Sequence, residues 1–116
     1  MERDRALDAL LELDGQVLVA DPESRYWVRF VVQRVLVSGE RPHGLNYSLT
    51  LHGPDGGRLA GFDNAHAVKG GKVRRPLDHK HRLKTVRPYE YRDAATLLAD
   101  FWTLVDAVLR EKGIPS

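Results

Sequence analysis

Apolar and polar residues alternate through the middle of the chain, and this pattern indicates β-strands. From Leu45 to His52 every second residue is apolar, with Asn, Ser, Thr and His between them. A period of two predicts a strand with one buried side and one wet side, and places His52 on the wet side. Residues 26–37 are rich in aromatic and β-branched residues and predict a second long strand.

The best turn signal lies at residues 53–57, which read Gly-Pro-Asp-Gly-Gly. It predicts a hairpin whose second strand covers residues 58–62. Gly61 precedes Phe62, whose parity is opposite to that of Leu59, so we expect a β-bulge near Gly61 that turns the following side chains. Residues 83–91 predict another extended segment, in which Pro88 favours an edge strand.

The apolar period changes to a helical one near the C-terminus. Apolar residues recur at helical spacing from Leu97 to Leu109, with Asp93 suited to the N-cap and Gly113 to the end of the helix. This predicts an amphipathic C-terminal helix.

Near the N-terminus, Leu7, Leu10 and Leu11 have helical spacing and favour a short helix. The pair Asp14-Gly15 is equally typical of a two-residue hairpin turn. The predicted fold class is α+β: a twisted, meander-like antiparallel sheet of about five strands with a C-terminal helix and a short N-terminal helix.

Composition narrows the classes of protein. A chain of 116 residues, 42% of them hydrophobic, is expected to form one domain over residues 1–116. The absence of cysteine excludes disulfides, thiolate zinc sites and cysteine nucleophiles. The first residues lead into no apolar signal region, and nowhere do about 18 apolar residues run together, so we expect a cytoplasmic protein with no membrane partner.

Positive charge is concentrated in one segment although the net charge is only +2. Eight Lys and Arg residues lie between positions 69 and 87, against the single acid Asp78. Such a cluster can guide a polyanion, although an ordinary solvated loop has the same composition. The predicted nucleic-acid-binding residues are Lys69, Lys72, Arg74, Arg75, Lys80 and Arg82.

Histidines and carboxylates accompany these cations. Residues 61–66 read Gly-Phe-Asp-Asn-Ala-His, and residues 78–81 read Asp-His-Lys-His. A neutral histidine can remove the 2′-hydroxyl proton of RNA, a protonated one can protonate the leaving 5′-oxygen, and a cation can stabilise the phosphate. The candidate catalytic residues are His66, His79 and His81 as acid and base, with Asp63 or Asp78 as an orienting partner.

The His-x-His spacing adds a geometric expectation. In a strand His79 and His81 share one side, while Asp78 and Lys80 face the other. Two histidines and an aspartate also form a familiar metal-ligand set, but the surrounding positive charge opposes a bound cation. We therefore expect no metal and no cofactor. A third interpretation is that these histidines are surface residues hydrogen-bonded to nearby carboxylates.

Four segments of the chain together resemble the TumE family of prokaryotic toxins. They are residues 41–52 (Arg-Pro-His-Gly-Leu-Asn-Tyr-Ser-Leu-Thr-Leu-His), 61–66, 78–81 and 88–102 (Pro-Tyr-Glu-Tyr-Arg-Asp-Ala-Ala-Thr-Leu-Leu-Ala-Asp-Phe-Trp). The resemblance implies a type II toxin–antitoxin component, paired with a small antitoxin that is commonly a helix-turn-helix protein. An RNA-directed, growth-inhibiting activity fits that role.

Two function classes follow from the sequence. The first is an RNA-targeting toxin, with metal-independent ribonuclease chemistry as the candidate mechanism and an antitoxin and RNA as partners. The second is a non-catalytic module that binds nucleic acid or protein, in which the same cations bind and the histidines are incidental. A homo-oligomer is compatible with either.

Overall fold

The structure is a computed structural model, which describes residues 4–39, 41–64, 78–83 and 85–114. The predicted α+β class is confirmed, and the described residues form six strands rather than about five. The elements are α1 (Arg5–Glu12), β1 (Val17–Val19), β2 (Trp27–Arg34), β3 (Leu45–His52), β4 (Arg58–Asp63), β5 (His79–Arg82), β6 (Thr85–Pro88) and α2 (Ala94–Glu111).

The six strands form one antiparallel meander in the order β1-β2-β3-β4-β5-β6. The pairing of β2 with β3 is the longest and runs from Trp27 opposite His52 to Arg34 opposite Leu45. The predicted alternation in β3 is confirmed, because its odd-numbered residues are buried and the others are partly exposed, except Thr50, which is also buried. The predicted position of Pro88 in an edge strand is also confirmed.

Strand ends differ from the prediction. The strand predicted over residues 26–37 ends at Arg34, and Leu36 and Val37 are largely exposed because the chain leaves the sheet there. The segment predicted over residues 83–91 contributes only β6. The additional strand is β1. Its three residues are all exposed, so they show no alternation of buried and exposed positions.

Both predicted helices form. The Asp4 carboxylate accepts a hydrogen bond from the Leu7 amide at 3.0 Å and caps α1, so the helical interpretation of the N-terminus is right. Asp93 caps α2 in the same way, accepting from the Thr96 amide at 2.7 Å. Gly15 has a φ of +81° and reverses the chain between α1 and β1.

The core lies on one side of the sheet, between β2–β4 and the two helices. Its largest fully buried side chains include Tyr47, Phe30, Phe62 and Phe101. We call this side of the sheet the proximal face. Within the described residues, neither helix combines the length and the hydropathy that crossing a bilayer requires.

The opposite side of the sheet, which we call the distal face, is formed by the alternate residues of each strand. Cross-strand pairs such as Trp27 with His52, Thr50 with Gly61 and Asp63 with His79 lie on it. Of the candidates from the sequence, this face carries Asp63, His79 and His81.

Candidate functional site

Both candidate histidines that the structure describes contact one carboxylate on the distal face. Asp63 at the end of β4 is paired with His79 of β5 and is only 7% exposed. Its Oδ2 lies 2.9 Å from Nε2 of His81, and its Oδ1 lies 3.7 Å from Nδ1 of His79. The two imidazole centroids are 6.2 Å apart. The predicted alternation of β5 therefore holds, with both histidines on one side.

Arg58 completes this group, and the sequence did not single it out. One guanidinium nitrogen, Nη2, lies 3.2 Å from Nδ1 of His81, and the other, Nη1, lies 3.7 Å from Oδ2 of Asp63. We call Arg58, Asp63, His79 and His81 the distal cluster.

A β-bulge explains why Arg58 reaches this face. Regular alternation would put Arg58 with Ala60 and Phe62 on the proximal face. The register shifts between Leu51 and His52, so that Ala60 is opposite Leu51 but Arg58 is opposite His52. The bulge was predicted in the right strand, but its position near Gly61 was wrong.

Gly61 lies at the centre of the site and allows two strands to approach closely, rather than forming the bulge. It is paired regularly with Thr50 on one side and His81 on the other. A Cβ added here would overlap the carbonyl oxygen of Leu49 and press on Thr50. Only glycine therefore allows β3 and β4 to approach closely beneath His81.

Asn64 holds the end of β4 in place. Its side chain accepts a hydrogen bond from the Tyr47 amide at 3.0 Å and donates to the Leu45 carbonyl oxygen at 2.6 Å. These bonds continue the contact of β4 with β3 beyond Asp63, so the carboxylate is anchored from both sides along the chain.

The contacts of His81 define its proton positions. A guanidinium can only donate, so Nδ1 of His81 accepts from Arg58, and Nε2 then carries the proton that is donated to Asp63. Burial lowers the pKa of His81 below its ordinary value; Asp63 opposes this effect, while Arg58 and His79 reinforce it. His81 is therefore a neutral imidazole near neutral pH.

The candidate cations of β5 lie on the other side of the sheet. Lys80 is paired with Phe62 and Arg82 with Ala60, both of which face the core. The Lys80 ammonium lies 5.9 Å from the centre of the Phe62 ring, and Arg82 bonds Glu111 of α2 at 3.0 Å. Neither side chain joins the distal cluster, because alternate residues of a strand point to opposite faces.

Asp78 is likewise separated from the histidines. It is 6% exposed and accepts a hydrogen bond from the hydroxyl of the fully buried Tyr47. Burial and this carboxylate raise the pKa of Tyr47 above its ordinary value. In the structure Asp78 is thus a partner of the core, and Asp63 is the carboxylate that contacts the imidazoles.

The remaining candidates, His66, Lys69, Lys72, Arg74 and Arg75, lie outside the described residues. In the part of the chain that is described, no three His, Asp or Glu residues are arranged to hold a metal ion. The chemistry that the distal cluster offers is proton transfer beside a guanidinium.

Comparison with protein families identifies the chain. A family model described as Toxin TumE matches residues 13–109, which include every strand and most of α2. Neither the curated proteins nor the solved structures give a match. The family model covers most of the chain and agrees with the four segments that resembled this family, so the chain belongs to the TumE family of toxins.

Proposed function

We propose that this toxin acts on RNA and cleaves it at the distal cluster by metal-independent acid–base chemistry. The observation that carries the proposal is the contact of one nearly buried carboxylate, Asp63, with two imidazoles beside a guanidinium. RNA cleavage by its own 2′-hydroxyl needs a base, an acid and a cation for the phosphate, and these four residues supply them.

His81 is the proposed base. Its lowered pKa keeps it neutral, and its lone pair lies on Nδ1, where Arg58 holds it in the free protein. The Arg58 side chain is 45% exposed and can turn to a phosphate, which is a stronger hydrogen-bond acceptor than an imidazole. Binding of the phosphate by Arg58 then frees Nδ1 to take a proton.

The proposed reaction is an in-line transfer within the RNA. Nδ1 of His81 removes the 2′-hydroxyl proton as the 2′-oxygen bonds to phosphorus, and the bond from phosphorus to the 5′-oxygen breaks. Protonated His79 gives its proton to that oxygen. The products are a 2′,3′-cyclic phosphate and a 5′-hydroxyl. Asp63 orients His81 and stabilises the positive charge that both histidines carry during the cycle.

A toxin of this family implies an antitoxin partner. We expect a small DNA-binding protein, of the helix-turn-helix type, encoded beside the toxin. Its presence in the adjacent reading frame would support the biological role independently of the chemistry.

The test is cleavage of end-labelled RNA by the purified protein, with and without a chelator. We expect cleavage that survives the chelator, cyclic-phosphate product ends, and a loss of about 10²- to 10⁴-fold in rate on His81→Ala or His79→Ala. His66→Ala belongs in the same series, because His66 is the other histidine proposed from the sequence.

Three outcomes would contradict the mechanism. Loss of cleavage with the chelator alone would indicate a metal site. Full activity of both His79→Ala and His81→Ala would show that the acid and the base are not on the distal face. If RNA stays intact under all conditions while the protein still binds it, the alternative function, a non-catalytic binding module, would be favoured.

A further inference from the structure

A stacked aromatic pair lies on the distal face outside the distal cluster. Trp27 at the start of β2 is paired with His52 at the end of β3. Their ring centroids are 4.2 Å apart and their planes differ by 8°. Trp27 is half-buried, and it is not among the partly buried side chains that pack against the core. The usual reason for a tryptophan in a small domain, filling the core, therefore does not apply to it.

The His52 ring is fixed by bonds at both nitrogens. Nδ1 lies 3.0 Å from the carbonyl oxygen of Gly56, and Nε2 lies 2.8 Å from the hydroxyl of Thr50. A carbonyl oxygen only accepts, so Nδ1 carries a proton. His52 thus holds a defined orientation behind Trp27, and the stack is organised before any ligand arrives.

Strand register connects this stack to the distal cluster. Trp27 is opposite His52, and His52 is opposite Arg58, which bonds His81. Neighbouring strands lie about 4.8 Å apart, so the backbones at Trp27 in β2 and at Arg58 in β4 are separated by about 10 Å. A nucleotide spans such a distance between its base and a neighbouring phosphate.

A further cation accompanies the stack. Arg29 lies two residues from Trp27 in β2, so both side chains are on the distal face, and Arg29 is exposed. The distal face therefore presents an aromatic ring with one cation, Arg29, two residues along β2 and another, Arg58, two strands across the sheet. Aromatic rings and cations on one face of an antiparallel sheet are how several modules bind unpaired RNA.

We propose that Trp27, supported by His52, stacks an unpaired base of single-stranded RNA whose neighbouring phosphate binds Arg58. The inference rests on the proposed function, since it places the substrate at the same site. Stacking on a ring face tolerates every base, so the contact positions the strand without choosing its sequence.

The chain contains two tryptophans, and the second is a matched control. Trp102 lies on α2, where its ring is 6.1 Å from Phe30 and 5.4 Å from Phe101, both of which are core residues. Its relative exposure is 38%, but it lies on the proximal side. Trp102→Phe leaves Trp27 as the sole tryptophan, and Trp27→Phe leaves Trp102.

The experiment is a fluorescence titration of both variants with a mixed-sequence 2′-O-methyl oligonucleotide, which has no 2′-hydroxyl to react. We expect quenching in Trp102→Phe and none in Trp27→Phe. Trp27→Ala should weaken binding of the same labelled oligonucleotide, followed by anisotropy, roughly 5- to 100-fold. Circular dichroism establishes that each variant is folded.

Two outcomes would overturn the stacking platform, by which we mean Trp27 supported by His52. The first is equal quenching of both variants, or none, while the oligonucleotide is bound. The second is equal quenching of Trp27 by poly-glutamate, which would indicate a response to polyanions rather than stacking. The proposed function fails separately: quenching of Trp27 without any RNA cleavage supports the platform and contradicts the nuclease, whereas cleavage without quenching contradicts only the platform.

Discussion

The four residues of β5 divide into two pairs, one on each face of the sheet, and the two pairs have different surroundings. His79 and His81 on the distal face contact a carboxylate that is nearly buried, whereas Lys80 and Arg82 on the proximal face lie beside α2 in contact with solvent. The segment reads as one basic, histidine-rich motif in the sequence. The strand divides it into a group suited to proton transfer and a group of peripheral cations.

The difference between the faces is one of solvation. Arg82 and Glu111 are 41% and 54% exposed at their side chains, so their ion pair is screened and contributes little. The His81 side chain is 16% exposed, and its burial is the main cause of its lowered pKa. The lowered pKa, together with the contacts to Asp63 and Arg58, is why we propose His81 as a functional group.

Apart from the loss of a histidine itself, the largest predicted effect concerns Asp63. Asp63→Asn keeps the size of the side chain but removes the charge that orients and stabilises the histidines. We expect RNA cleavage to fall by roughly 10²-fold, with RNA binding retained. Since Asp63 raises the pKa of His81, the ascending limb of the pH–rate profile should move to lower pH.

Asp78→Asn is the matched control from the proximal face. It removes a carboxylate of similar burial that contacts Tyr47. We expect lower stability with the pH–rate profile unmoved. A profile that moves with Asp78→Asn and not with Asp63→Asn would reverse the assignment of the two carboxylates.

The next effect is structural and tests the close approach of β3 and β4. Gly61→Ala places a methyl group against the Leu49 carbonyl oxygen, so we expect the free energy of unfolding to fall by about 1–3 kcal/mol, measured by urea denaturation. The control is Gly39→Ala, where an added Cβ meets nothing within 4 Å. Equal stability of the two variants would show that the strands have room to part at Gly61.

An effect of similar size is expected for the buried phenol of the proximal face. Tyr47→Phe leaves the buried Asp78 carboxylate without its hydroxyl donor, which should cost about 1–3 kcal/mol in chemical denaturation. Tyr89→Phe removes a hydroxyl bond of 2.7 Å to the half-buried Asp100 and should cost less. The reverse order would place the more strongly desolvated carboxylate at Asp100.

The smallest effect is the pH dependence of stability. The pKa of His81 is lower in the folded chain than the ordinary value near 6.5, so the unfolded chain binds more protons between those two values. Stability should therefore fall as the pH drops below about 6.5. Between pH 7.5 and pH 5.5, the free energy of unfolding, measured by denaturation, should fall less for His81→Gln than for the unaltered chain. A larger fall for His81→Gln would mean that folding raises the pKa of His81.

The sequence predicted the fold well wherever one period was long enough. Alternation in β3 and helical spacing in α2 both reflect burial on one side, and both predictions are confirmed. It did not reveal β1, because three exposed residues carry no burial pattern. Strand ends also depend on partners in the sheet, which explains why Leu36 and Val37 leave it despite their strand-forming residue types.

The rule of alternation predicted the faces of the site residues correctly, except at the bulge in β4. A period of two correctly put His79 and His81 on one side and Lys80 on the other. The same rule gives the wrong face for Arg58, since one unpaired residue, Leu59, inverts the alternation. The parity mismatch between Leu59 and Phe62 was the available signal, but it could not tell which residue leaves the register.

The most direct test of the account compares neighbours on β5. The rate of cleavage of one defined RNA, under chelator, is measured for His81→Ala and for Lys80→Ala, with Arg82→Ala as a second proximal variant. We predict a loss of at least about 10²-fold for His81→Ala and a change of less than about threefold for both proximal variants. Equal losses on both faces, or a larger loss for Lys80→Ala, would contradict the placement of the reaction on the distal face.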